Sequence, residues 1–268
     1  MFVAAAIQLT SNSDAERSTA DAEALIRRAA AYGATFVATP EATNYLGPHA
    51  RKVELAESLE GPTCQRFGAL AKELGITLLL GSFNERVDGE AHRCANTSVL
   101  FGPSGEQLAS YRKLHLFDVD VPGVRFYESE TCVRGTEVVV ADAPFGKLGM
   151  SICYDLRFPE LYRAHVDLGA TMLAVPAAFT ATTGKAHWEP LLRARAIETQ
   201  CWVIAPGQVG HHDDGGLRNS HGHSMIIDPW GNVVAQVGEE PGIALAEIDM
   251  ARLERIRAGM PVPAHRML

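Results

Sequence analysis

The stretch Gly149-Met150-Ser151-Ile152-Cys153-Tyr154-Asp155-Leu156-Arg157-Phe158-Pro159 constrains this chain more than any other. The apolar run from Leu148 to Ile152 reads as a buried strand. Pro159 suits the first position of a helix that carries Leu161, Ala164 and Leu168 on one face before Gly169 ends it. Cys153 therefore stands at a strand-to-helix elbow. A thiol held there is close to free backbone N–H groups of the next segment, which favour a thiolate and can stabilise an oxyanion. Free cysteine is also among the most buried residue types, so the same position suits an inert core side chain.

The rest of the chain alternates strand and helix signals around that elbow. Met1 to Leu9 is apolar and reads as a buried first strand; it lacks a basic leader and is short for the apolar part of a signal peptide. Asn12 and Ser13 offer caps for a helix through Ala22, Leu25, Ile26 and Ala29 that stops at Gly33. Thr35 to Thr39 reads as a second strand, whose pairing Pro40 ends immediately before Glu41. Gly61-Pro62 opens a helix through Cys64, Phe67, Ala71 and Leu74, and Ile76 to Leu80 follows as a strand. Thr97 to Phe101 and Gln107 to Arg112 form a predicted hairpin about Gly102-Pro103-Ser104-Gly105 that delivers Lys113 at its end.

Leu116 to Gly135, with Pro122 and Gly123, reads as an irregular loop region of the kind that often carries function. Beyond it, Val138 to Val140, Lys147 to Ile152, Thr171 to Ala177 and Cys201 to Ala205 read as strands, with a helix over His187 to Gln200. A hairpin pairing Gly222 to Ile227 with Val233 to Ala235, a strand Ile243 to Ile248 and a helix near Met250 to Ala258 complete the pattern. No repeat or linker interrupts it, so residues 1–268 read as one domain, an α/β sheet system covered by helices.

Composition narrows the class of partner. Net charge is −8 and the lysines and arginines are scattered, so no footprint for nucleic acid or anionic lipid is visible. No apolar run approaches the roughly 20 residues needed to cross a bilayer. Five cysteines (Cys64, Cys94, Cys132, Cys153, Cys201) without a C-x-x-C pair argue against a disulfide framework and a cysteine zinc site. A reducing cytoplasm and a small-molecule substrate fit this composition. His211-His212-Asp213-Asp214 with His221 and His223 invites a metal reading, yet the spacing matches no standard zinc pattern and the glycines around it suggest a mobile loop. Gly149-x-Ser151-x-Cys153 lacks the second glycine of a serine nucleophile elbow. The expectation is an enzyme with no metal and no cofactor.

A cysteine nucleophile needs a proton acceptor and a group that stabilises charge on the attacked carbonyl. Glu41, Lys113 and Cys153 all fall at strand ends. Singly, they also read as a solvated loop carboxylate, a surface charge and a core thiol. Together with their flanks, Pro40-Glu41-Ala42, Tyr111-Arg112-Lys113-Leu114-His115 and Ile152 to Glu160, they resemble the nitrilase, or carbon–nitrogen hydrolase, superfamily.

That resemblance implies an α-β-β-α sandwich that commonly dimerises, and an amidase of linear amides with a Glu41-Lys113-Cys153 triad. In that scheme Glu41 takes the thiol proton, Cys153 attacks the carbonyl, and Lys113 with the Tyr154 N–H stabilises the oxyanion on the way to a thioester. Phe126-Tyr127-Glu128-Ser129 resembles the family segment with a second glutamate, which gives Glu128 a supporting role. Leu114 to Gly123 is similar to the branch of small amidases that includes omega-amidases and deaminated-glutathione amidases. Phe179-Thr180, Thr183 to Glu189 with Lys185, and Arg193 to Gln200 look closest to the latter.

The substrate so implied carries carboxylates, and Arg157 or Lys185 can supply a cationic wall. An ion pair of Arg157 with Asp155 or Glu160 is the competing reading. A non-catalytic interaction module on the same fold is a further alternative, against which the intact trio argues.

Overall fold

The computed structural model describes residues 1–121, 124–216 and 218–267. Two sheets dominate it. In the first, the strands run in the order Asn219–His221, Gly207–His211, Phe2–Leu9, Ala34–Ala38, Thr77–Arg86, Cys94–Phe101 and Gln107–Arg112. Gly242–Ile248 also pairs antiparallel with Phe2–Leu9, and Cys132–Val133 pairs parallel with Cys94–Phe101. The second sheet runs Val233–Gln236, Met225–Ile227, Trp202–Ala205, Met172–Ala174, Gly146–Met150 and Val140–Ala143.

Strand alternation explains how these sheets stack, because neighbouring residues point to opposite faces. Ala4, Ala6, Phe36, Ala38 and Leu79 of the first sheet share one core with Leu148, Met150, Met172, Ala174 and Ile204 of the second. The alternate residues Ala5, Ile7, Val37, Leu78 and Leu80 pack instead on Ala22, Ile26, Phe67 and Leu70 of the helices Ala15–Ala31 and Pro62–Leu74. Leu173, Val203 and Ile227 face Leu161, Trp188 and Leu192 of the helices Pro159–Asp167 and Ala181–Thr199. Helix, sheet, sheet, helix is the resulting order, the α-β-β-α sandwich expected. Each fully buried aliphatic side chain in these layers contributes about 1.5–3 kcal/mol.

Several elements depart from the sequence reading. The first helix is capped by Asp14, whose carboxylate accepts from the Arg17 N–H at 3.1 Å, and not by Asn12 or Ser13. The region 116–135 is not irregular throughout: Asp118–Val121 pairs with Val124–Tyr127, a 3-10 turn spans Glu128–Glu130, and Cys132–Val133 joins the first sheet. Pro122 and Gly123 lie outside the described residues. Val138 and Val139 precede their strand, which is Val140–Ala143.

The helix after Pro159 buries Leu161, Tyr162 and His165, leaving Leu168 51% exposed, because a neutral imidazole and a phenol occupy the face that apolar letters alone assign to leucine. Helix Ala181–Thr199 begins before His187, and Ile197 on it is exposed. The glycine-flanked His211 region is an antiparallel strand pair and not a loop alone. Among the described residues, no helix is long and apolar enough to cross a membrane.

Candidate active site

Glu41, Lys113 and Cys153 each lie just beyond the C-terminal end of a strand and line one cavity of about 230 Å³. Local chemistry fixes each of them. Glu41 rides on a turn whose Ala42 N–H donates to Ser82 Oγ at 2.8 Å and whose Thr43 Oγ1 donates to the Pro40 carbonyl at 2.6 Å. Gly81 passes so close to the Thr39 and Pro40 carbonyls that a Cβ there would collide with backbone. Lys113 is pinned by its backbone, with its N–H on the Asn96 carbonyl at 2.9 Å and its carbonyl accepting from the Gly135 N–H at 2.8 Å.

Cys153 adopts φ 50, a left-handed conformation that a non-glycine residue holds only when its surroundings over-determine it. Asp155 provides that constraint. Fully buried, it accepts from the Ile152 N–H at 2.8 Å and the Tyr111 hydroxyl at 2.7 Å on one oxygen, and from the His115 N–H at 3.0 Å on the other. The His115 imidazole lies 2.7 Å from that second oxygen and stacks on Phe158 at 3.7 Å. The Cys153 N–H is spent on the Pro176 carbonyl at 2.9 Å, and the turn's first internal bond runs from the Asp155 N–H to the Ile152 carbonyl. Tyr154, the residue after Cys153, lines the cavity.

The charged groups form one connected cluster. Lys113 Nζ donates to Glu41 Oε1 and to Glu128 Oε2, each at 2.9 Å, and the ammonium is only 2% exposed. Asn96 Nδ2 donates to Glu41 Oε1 at 2.8 Å and Glu128 Oε1 at 3.1 Å, and the Ala178 N–H reaches Glu41 Oε2 at 2.8 Å. Burial works against charge on Glu128, but Lys113 and Lys52 outweigh it and hold this carboxyl down to about 2. Burial also opposes the Lys113 charge, and Glu128 and Glu41 overcome it, so the lysine stays protonated. The Cys153 thiol is pushed well above its ordinary value by burial and by Glu41, with Lys113 pulling the other way. At rest, the Glu128 carboxylate and the Lys113 ammonium are charged and the Cys153 thiol is neutral.

Of the residues expected around the triad, Glu128, Tyr154, Arg157, Phe179 and Thr180 line the cavity, and Lys185 does not: it is exposed on helix Ala181–Thr199. Arg157 makes no ion pair with Asp155 or Glu160. Its guanidinium lies over the Phe179 ring at 5.1 Å and the Tyr154 ring at 5.8 Å, with Nη1 3.3 Å from His187 Nδ1. Thr180 and Thr183 hydroxyls lie 2.8 Å apart at the start of the same helix.

Sequence reasoning missed Asn96, Asp155, and the wall cations Lys52, Arg125 and Arg218. Arg218 is aimed by Asp214 Oδ2 at 2.7 Å and the Gly47 carbonyl at 3.1 Å, above the Phe126 ring. The neighbouring histidines have other tasks: His212 bridges the Ser11 carbonyl and Ser220 Oγ, and Asp213 accepts from the Ser13 N–H. Among the described residues no group of three or more His, Cys, Asp or Glu side chains is placed to hold a metal ion.

The carbon-nitrogen hydrolase family profile matches residues 3–258. The chain belongs to the carbon–nitrogen hydrolase family. It is 47% identical to a deaminated glutathione amidase of Synechocystis sp. over 99% of this chain and 98% of that one. The crystal structure of the Caenorhabditis elegans NitFhit protein superposes with a TM-score of 0.93 at 41% identity, over 99% of this chain and 65% of that longer one. Saccharomyces cerevisiae Nit3, of the nitrilase superfamily, superposes with a TM-score of 0.88 at 31% identity, over 100% of this chain and 97% of that one. As a member of the family, the protein is an amidase, a hydrolase of carbon–nitrogen bonds.

Proposed function

We propose that this carbon–nitrogen hydrolase cleaves deaminated glutathione to alpha-ketoglutarate and cysteinylglycine, with Cys153 as nucleophile, Glu41 as proton carrier and Lys113 as oxyanion partner. The observation that carries the chemistry is the closed circuit in which one ammonium bridges two carboxylates beside a neutral thiol. Glu41 accepts the Cys153 proton as sulfur bonds to the amide carbonyl carbon, and net charge in the buried site stays constant while the proton moves. The tetrahedral oxyanion lies toward Lys113 Nζ and the Tyr154 N–H. On collapse the C–N bond breaks and the amine leaves with the proton from Glu41. Water then gives a proton to Glu41, attacks the thioester and releases the acid, and the thiol regains its proton. Glu128 keeps Lys113 oriented throughout.

The substrate reading rests on charge and on the relatives. Lys52, Lys113, Arg125, Arg157 and Arg218 line the cavity against only Glu41 and Glu128 as carboxylates, in a chain whose net charge is −8. That local excess suits a substrate with two carboxylates, as deaminated glutathione has, better than the single one of alpha-ketoglutaramate. The Synechocystis relative carries the name of that activity.

We take residues 1–268 to act as one domain, in a homodimer that covers the exposed Ile197 and Trp230, whose hairpin Gly231 contacts Ile197. Five free cysteines support a reducing cytoplasm as its location.

The test measures cysteinylglycine release from deaminated glutathione and ammonia release from alpha-ketoglutaramate, with Cys153→Ala as control. The expected outcome is a kcat/KM favouring deaminated glutathione by about tenfold or more, within what loss of one carboxylate contact does to discrimination. A preference for alpha-ketoglutaramate makes the enzyme an omega-amidase, and turnover of neither removes the substrate reading.

A further inference from the structure

Behind the cavity wall lies a second sulfur centre that amide hydrolysis does not use. Cys94 opens the strand Cys94–Phe101, and Cys132 sits directly opposite it on the short parallel strand Cys132–Val133. Paired strands run about 4.7–4.9 Å apart, inside the Cα separation of about 4.4–6.8 Å that a disulfide accepts. The two side chains are in contact in a small cluster with Ala56 and Leu116, and exposures of 0% and 1% keep them from bulk solvent.

Their polar surroundings are unlike those of core cysteines. Lys52 Nζ stands 2.8 Å from Cys132 Sγ, while Cys94 Sγ reaches the Thr131 carbonyl at 3.5 Å and Asn84 Oδ1 at 3.8 Å. Lys52 and Asn84 both line the substrate cavity. The dithiol is thus one side chain away from the cavity, and a small oxidant entering it meets Lys52 and Asn84 before it meets sulfur. An ammonium at this distance favours a thiolate on Cys132, as does a neighbouring thiol able to donate to it.

We propose that Cys132 and Cys94 form a peroxide-reactive dithiol site, with Lys52 as the group that activates Cys132. The Cys132 thiolate attacks one oxygen of hydrogen peroxide; an S–O bond forms as the O–O bond breaks, and hydroxide leaves and is protonated to water. Cys94 then attacks the sulfenic sulfur, the S–O bond breaks, and its hydroxyl departs with the Cys94 proton as a second water. The product is a cross-strand disulfide, with two electrons passed from the dithiol to peroxide. Oxidation removes the sulfur anion that faces Lys52 and leaves Glu128, the carboxylate that its charge acts on, as its counter-ion.

The contrast with Cys153 makes the site specific. The Cys94 thiol, outweighing the effect of burial with help from Lys52, holds Cys132 down to about 6, whereas burial and Glu41 push Cys153 up. The thiol favoured for ionisation is Cys132, the one in contact with the Lys52 ammonium.

The test exposes the folded enzyme to hydrogen peroxide, blocks remaining thiols with N-ethylmaleimide and maps peptides without reduction. A Cys94–Cys132 linked peptide that accumulates before any oxidation of Cys153, and that dithiothreitol reverses, is the expected result. Lys52→Met should slow its formation about tenfold or more, as loss of the activating charge returns the thiol toward its ordinary pKa. Cys94→Ser should convert the product into a Cys132 sulfenic acid that dimedone traps. Oxidation of Cys153 ahead of the pair, or linkage in Lys52→Met at the unmodified rate, would overturn the proposal. The wild-type mapping stands alone if either variant folds poorly.

Discussion

Lys113 and Lys52 are two ammonium groups set into the same wall, and they differ in what was placed opposite them. Lys113 faces two carboxylates at 2.9 Å, so its charge is already balanced and the thiol beside it has no cause to ionise. Lys52 faces sulfur at 2.8 Å and shares Glu128 with Lys113, so its nearest partner is a thiol that its charge favours as the anion. A lysine near a cysteine therefore does not by itself make a thiolate: the carboxylates that share the lysine decide. In the first cluster ionisation waits for a substrate and for Glu41 to take the proton; in the second the neighbouring ammonium favours it at rest.

The sharpest way to break the comparison is to remove the thiol from the first cluster. Cys153→Ala should lower turnover by about 10³-fold or more, since no other side chain can form the acyl-enzyme. Its melting temperature should stay within about 4 °C of wild type, because alanine meets the same left-handed backbone cost and the charge circuit is untouched. Turnover retained in a product assay would remove Cys153 from the mechanism.

Removing the cation instead should cost both activity and fold. Lys113→Met leaves Glu41 and Glu128 buried without their counter-ion, a change expected to destabilise by about 3–5 kcal/mol in urea unfolding. The double variant Lys113→Met, Glu128→Gln should recover part of that loss and none of the turnover. If the single variant is as stable as wild type, the cluster is more solvated than its geometry indicates.

What could be read in the sequence follows from where these groups sit. Glu41 follows Pro40, Cys153 lies between an apolar strand and the helix that Pro159 opens, and Lys113 ends a hairpin with a clear glycine turn, so punctuation and an apolar run bring them to strand ends. Asn96 was hidden because a strand interior gives no sign of which polar residue faces a cavity. The hairpin over Asp118–Val121 and Val124–Tyr127 does carry an alternating Asp-Val-Asp-Val signal, overridden in the reading by Pro122 and Gly123. The Cys94–Cys132 pair depends on long-range strand pairing, which no local period encodes, and the wall cations come from a helix, a hairpin and a loop that only the fold brings together. Lys185 shows the opposite error: a charge near Phe179 and Thr180 in sequence is exposed on its helix and does not line the cavity.

Within the second cluster, Lys52→Met should separate charge from burial. The Cys132 thiol titrates at about 6 in the folded protein against 9.0 for a free thiol, so the folded state binds fewer protons than the unfolded state across that window. Stability from this group is full above about 9 and falls as pH drops toward 6. In Lys52→Met this slope should flatten, and alkylation of Cys132 should require higher pH. Urea midpoints at both ends of the window, compared with Cys132→Ser, measure it.

Acid should act through groups outside the Lys52 pair, and the effect should be the smallest of these. Burial lowers His165 from 6.5 to about 4, and burial with the Arg218 and Lys52 charges does the same to His49. Both stay neutral in the fold while the unfolded chain takes up protons, so stability falls as pH drops from about 6.5 to 4. Glu128 adds its own loss only lower, between 4.5 and about 2. Two separate acid steps in the unfolding midpoint, with Glu128→Gln removing the lower and His165→Gln shrinking the upper, would assign the early step to trapped neutral imidazoles and not to the Lys113 circuit. A single step near pH 4 would mean that the carboxylate cluster yields first, and that its balance with Lys113 is weaker than 2.9 Å contacts on both sides imply.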